Sequence, residues 1–124
     1  MELRIENHHA IDVISISGRL DLVSSSVLKD TIRQRLSDHR VQIVIDMEMV
    51  NFINSSGLGA LISVLRDVRL SGGRIALCRL APYIEEIFTI TGLTRVFDCY
   101  ASVANSLESF ANLPEQMAAK HYYS

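Results

Sequence analysis

The sequence predicts an α/β fold: a mixed β-sheet flanked by helices, with elements in the order β-β-α-β-α-β-α-β-α. Three observations lead there. Two apolar segments near the N-terminus are separated by only a few residues, which is the pattern of a hairpin. Short β-branched runs then alternate with stretches of helical period, as strands joined by crossover helices do. Finally, 124 residues that are 48% apolar and 21% charged are sized and composed for one globular domain. A domain of this size buries roughly two thirds of the surface its unfolded chain exposes, so it folds without a metal or a disulfide.

Residues 2–7 place Leu3 and Ile5 on one face of the first strand. His8, His9 and Ala10 form the turn, and 11–20 read as the second strand, with Ile14 and Ile16 alternating against Ser15 and Ser17 until Gly18 breaks the run. From Ser24 the period becomes helical, with Val27, Leu28, Ile32 and Leu36 on one stripe. The run 41–46 is nearly all apolar, which suits a central strand covered on both faces. An irregular segment over 47–54 follows, with Val50 and Phe52 pointing inward. A helix from about Ser56 to Leu70 comes next, packed through Leu58, Leu61, Ile62, Leu65 and Val68 and stopped at Ser71-Gly72-Gly73. Residues 74–79 give a strand. Pro82 starts a helix with Ile84, Ile87 and Phe88 on its inner face, and Gly92 ends it. A short strand over 96–100 and a helix marked by Val103, Leu107 and Phe110 complete a domain spanning 1–113. The remaining 114–124 carry no period and read as an unstructured tail.

Charge and composition exclude several functions. Twelve basic against fourteen acidic side chains give a net charge of −2, without the basic excess of a nucleic-acid binder. No apolar run approaches the ~20 residues of a membrane span. The N-terminal residues alternate charged and apolar and lack the apolar centre of a secretion signal, so a cytoplasmic protein is expected. Cys78 and Cys99 lie in apolar segments and read as two buried free thiols. His8, His9, His39 and His121 have no metal-ligand spacing to one another or to the cysteines, so no metal and no cofactor is expected.

The most informative stretch runs from Asp46 through Asn51, Asn54, Ser55, Ser56 and Gly57 to Gly59. It puts two adjacent hydroxyls where a loop becomes a helix. Serine is a good N-cap, and the first amides of a helix have no partner within it. Gly57 and Gly59 leave room for another molecule to approach the backbone. Phosphorylation there adds about −1.5 to −2 charge units, which a helix N-terminus tolerates and an acidic partner does not. Asp21 with Ser24, Ser25 and Ser26 reads as the cap and start of the first helix.

A strand ending in Asp, then Val-x-Phe, then Ile-Asn-Ser-Ser-Gly-Leu-Gly, an amphipathic helix, Ser-Gly-Gly and another strand resembles the anti-sigma factor antagonist family. Its members are single STAS domains of bacterial partner-switching pathways. The resemblance spans Leu3 to about Phe110 and takes in Gly18-Arg19-Leu20-Asp21, Gly72-Gly73 and Thr91-Gly92-Leu93. It implies a STAS-type mixed sheet and a protein that is the substrate of an enzyme rather than an enzyme. The first serine of the triplet, Ser55 here, would be phosphorylated by an anti-sigma factor with serine kinase activity, and a metal-dependent serine phosphatase would reset it. The unphosphorylated form would bind the anti-sigma factor and release the sigma factor. The kinase must cover the helix start to reach Ser55, so Asp21, Ser24, Asn51, Asn54, Ser56 and Gly57 are the expected docking residues. One departure is Asn54, where the family usually has Asp: it keeps the shape and an acceptor oxygen but not the charge.

Other readings fit the residues less well. A hydrolase built on Ser55 or Ser56 lacks the Gly-x-Ser-x-Gly elbow and a histidine with a supporting acid. A nucleotide site at Gly57-Leu58-Gly59 lacks the Lys-Ser/Thr pair that holds phosphates. The remaining alternative keeps the fold and changes the partner: an accessory subunit of a lipid-transport ABC system, or of a stress-signalling scaffold.

Overall fold

The computed structural model describes residues 1–111; the expected tail and the last two residues of the expected domain lie outside them. Five strands form one sheet in the order β1-β2-β3-β4-β5. β1 (Glu2–His8) and β2 (Ile11–Leu20) form the expected antiparallel hairpin. β3 (Gln42–Ile53), β4 (Arg74–Cys78) and β5 (Asp98–Tyr100) add in parallel. Each parallel step is made through a helix: α1 (Leu22–Ser37), α2 (Ser55–Leu70) and α3 (Pro82–Thr91), the last followed by a single 3₁₀ turn at Leu93–Arg95. Sequential strands with crossovers of one hand put these three helices on one face of the sheet. α4 (Val103–Ala111) covers part of the other.

Two cores result. The main one lies between the sheet and α1–α3 and includes Ile14, Ile16, Leu28, Ile32, Ile45, Leu61, Val64, Ile84 and Phe88. The smaller one joins Val13, Val44 and Cys78 of the sheet to Val103, Leu107 and Phe110 of α4. β3 contributes Ile45 to one core and Val44 to the other, as a strand covered on both faces should.

β2 spans 11–20 as expected, with Gly18 at φ +92° interrupting its alternation without ending it. Several other expectations change. β3 does not end at Asp46. It runs on to Ile53, and its pairing with β2 slips by one residue between Ser15 and Ser17 and again between Gly18 and Arg19. These bulges break the period-2 alternation, which is why 47–54 reads as irregular. Val50 is buried, whereas Phe52 is only half-buried. α1 starts two residues before Ser24, and Val27 faces solvent. On α2, Ile62 is 45% exposed while Ala60 and Val64 are buried in its place. Cys78 is buried, and burial pushes its thiol up to about 11, but Cys99 on the short edge strand is exposed.

Two ion-pair clusters fix the strand ends. Asp12 is fully buried and receives hydrogen bonds from Arg35 Nε (2.9 Å) and Arg40 Nη2 (2.6 Å). Arg40 also donates to the carbonyl of His9 at 2.8 Å, so the hairpin turn is tied to the end of α1. Arg79, which leaves β4 at φ +57°, donates through Nε to Asp46 (3.0 Å) and lies 3.0 Å from Glu48 Oε2. Asp46, the acid that opens the informative stretch, thereby anchors β3 to β4.

Candidate functional site: two helix starts at one end of the sheet

β2 and β3 run parallel and finish together at the pair Leu20 and Ile53, so α1 and α2 begin side by side. Each start is capped by the residue just before the helix, and neither cap is a serine. Asn54 caps α2: it is extended (φ −124°, ψ −172°), and its Oδ1 accepts from the Gly57 amide at 3.1 Å. Asp21 caps α1, accepting from the Ser24 amide at 3.2 Å, while its own amide donates to Ser24 Oγ at 2.8 Å. This is a capping box with Ser24 in the return position. The hydrogen bond from the Ser24 amide, opposed by desolvation and helped by Arg19, holds the Asp21 carboxyl below the usual carboxylate range.

The two starts are also joined to each other. Ser25 Oγ donates to the Ser56 carbonyl at 3.2 Å, and the Asn54 amide donates to the Leu20 carbonyl at 3.4 Å. Gly57 sits against the end of β2 so closely that an added Cβ would lie 2.2 Å from the Leu20 carbonyl oxygen. Only glycine allows that approach.

Ser55 is therefore the first helical residue of α2 and not its cap. It is exposed, and its hydroxyl has no hydrogen-bond partner among the described residues. Ser56, one position on, is half-buried. Of the other expected docking residues, Asn51 and Asn54 are exposed and Asp21 is half-exposed. Ser24 and Gly57 are buried, the hydroxyl of Ser24 being engaged by Asp21 and by the Arg19 carbonyl at 2.7 Å. Both lie beneath the exposed surface and not on it.

Sequence reasoning missed the apolar part of this rim. Leu22 and Val23 in the first turn of α1 are 71% and 80% exposed. The Arg19 guanidinium stacks over the Phe52 ring at 3.7 Å and lies 3.6 Å from Asp21 Oδ2. The signal was present in part: two large apolar residues directly after an Asp cap fall outside the Leu28–Ile32 stripe. Pairing of Arg19 with Phe52 needed the β2–β3 register, which no local pattern reveals.

The chemistry available here is that of an exposed nucleophilic oxygen at the positive end of a helix. The amides of Ser55 and Ser56 precede the capped Gly57 amide and belong to the first turn, where no partner exists within the helix, and the helix dipole favours negative charge at this end. No group of three or more metal-ligating side chains lies together among the described residues.

Comparison with known proteins agrees with this architecture. The STAS domain family model matches residues 2–106, and the chain belongs to that family. It is 25% identical over 111 residues to an anti-sigma F factor antagonist of Paenibacillus polymyxa, covering 86% of this chain and 92% of that one. It is 29% identical over 96 residues to the anti-sigma-B factor antagonist of Bacillus subtilis, covering 77% and 86%. Among solved structures, an anti-sigma factor antagonist from Mycobacterium paratuberculosis superposes with a TM-score of 0.78 at 26% identity, over 87% of this chain and 92% of that one.

Proposed function

We propose that this protein is an anti-sigma factor antagonist: a regulatory binding protein of the cytoplasm, not an enzyme, switched by phosphorylation of Ser55. The named relatives support the class. The observation that carries the switch is the position of Ser55, exposed and unbonded as the first residue of α2 and flanked by the start of α1. The unphosphorylated face binds an anti-sigma factor with serine kinase activity through Asp21, Asn51, Asn54 and Ser56, with Leu22 and Val23 as apolar anchors. Ser24 and Gly57 hold that face in shape. A metal-dependent serine phosphatase restores the unphosphorylated form.

Phosphate stays compatible with the fold because the first turn of α2 tolerates negative charge. It is incompatible with a close contact, since a dianion buried without a cation is costly to desolvate and repels acidic groups. A penalty of ~3 kcal/mol weakens binding by roughly a hundredfold.

The test is incorporation of phosphate from Mg-ATP by the kinase, read by mass spectrometry. Ser55→Ala abolishes the label and Ser56→Ala retains it; the reverse result moves the site. Titration calorimetry then compares the two forms against the kinase, and equal affinities would sink the switch. Capture of a transporter ATPase in place of a kinase would move the protein to the accessory-subunit class.

A further inference from the structure

β1 is an open edge. Among the described residues it pairs with β2 alone, so its outward amides and carbonyls have no ladder partner. Natural proteins blunt such edges with a proline, a bulge or repelling charges. Here the β1–β2 register is unbroken over all seven residues, and 1–10 contain no proline. Three charges remain and alternate in sign, Glu2, Arg4 and Glu6; with His8, whose Nε2 lies 3.6 Å from Glu6 Oε2, they lie on the face opposite Leu3 and Ile5. Leu3 packs against the main core, whereas Ile5 is 37% exposed.

We propose that β1 pairs with β1 of a second copy of this chain, antiparallel and centred on Ile5, joining two five-stranded sheets into one. The register follows by elimination. Directly opposite residues lie on the same face of a sheet, so registers centred between two residues would set the charged face of one copy beside the apolar face of the other. Centring on Arg4 opposes Arg4 to itself and Glu2 to Glu6, and parallel in-register pairing opposes every charge to its like. Centring on Leu3 matches Glu2 with Arg4 but leaves Glu6, Asn7 and His8 unpaired. Only centring on Ile5 uses the full strand: Glu2 meets His8, Arg4 meets Glu6, and Ile5 meets Ile5. Each charged side chain then faces the opposite sign or an imidazole, and the exposed Ile5 is covered by its equivalent. The arrangement is a closed two-fold, with the same patch used on both copies.

The interface is confined to two seven-residue strands, below the size of a stable obligate dimer, so association is expected to depend on concentration. The inference stands whether or not Ser55 is the switch. Sedimentation velocity of the full chain from micromolar to millimolar concentration tests it. Arg4→Glu places Glu against Glu6 twice in the dimer and weakens association by at least about tenfold. The double variant Arg4→Glu/Glu6→Arg exchanges the signs and restores it. In a Cys99→Ser background, Ile5→Cys forms an intermolecular disulfide on oxidation and Leu3→Cys does not, since only the central residue meets itself. Circular dichroism establishes that each variant is folded. A wild-type chain monomeric at millimolar concentration, a double variant as weak as Arg4→Glu, or cross-linking at position 3 instead of 5 overturns the proposal.

Discussion

Asn54 satisfies the Gly57 amide with a neutral oxygen, so the start of α2 is capped without a fixed negative charge beside Ser55. Asn and Asp are equivalent as caps, and Ala is much poorer. Asn54→Ala is expected to lower stability by about 1 kcal/mol in urea unfolding, and Asn54→Asp to leave it within about 0.5 kcal/mol. Any change in phosphorylation rate in the Asp variant then reports recognition by the kinase, since the cap is retained. The two nearby glycines behave oppositely. Gly57→Ala drives a Cβ into the Leu20 carbonyl and should destabilise by about 3 kcal/mol, the upper end for overpacking. Gly59 has open space, so Gly59→Ala should stabilise the helix by about 0.5–1 kcal/mol. The sequence shows both as Gly in a helix start; only the neighbouring strand end distinguishes them.

At the level of elements, α2 shows where periodicity stops being informative. Its buried residues form two adjacent rows, 57-61-65 and 60-64-68, because it packs on α1 as well as on β3 and β4. A stripe chosen for large apolar residues is rotated from that face, so it includes Ile62 and omits Ala60 and Val64. Leu61→Ala is therefore expected to cost about 2–5 kcal/mol, and Ile62→Ala no more than about 0.5 kcal/mol, when the two are compared by urea unfolding. An Ile62 effect as large as that of Leu61 would show the helix turned the other way. β3 makes a related point. Its first half, 42–46, pairs on both sides and is legible as an apolar run, whereas its second half pairs only with β2 through two bulges. The pattern failed where the ladder was irregular.

For the whole molecule, the buried Asp12 carboxylate closes the hairpin onto the far end of α1. Burial alone would raise its pKa; hydrogen bonds from Arg40 and Arg35, with their charges, outweigh this and hold it below the ordinary carboxylate value. Because the folded value lies below the unfolded value of about 3.9, the contribution is complete above roughly pH 4 and is lost as pH falls through the folded value. Asp12→Asn should cost about 3 kcal/mol at neutral pH, since it leaves two guanidinium groups without their anion. It should also flatten the acid limb of stability measured by urea unfolding at descending pH. An unchanged acid limb would assign that limb to other carboxylates.

The sequence by itself determined the order of elements, the hairpin, the central strand and the helix that begins at the two serines. These follow from short-range period and from glycine and proline, which act within a few residues. It also carried the family resemblance, because the Asn-Ser-Ser-Gly stretch and its flanks are contiguous. The tertiary structure decided what depends on partners distant in the chain. Asp46 is anchored by Arg79, Arg19 lies over Phe52, Ser24 is buried while Ser55 is not, and Cys99 is exposed where Cys78 is covered. Each of these is set by which strands lie side by side and where their ladders slip, and register is a long-range quantity fixed only when the whole sheet packs.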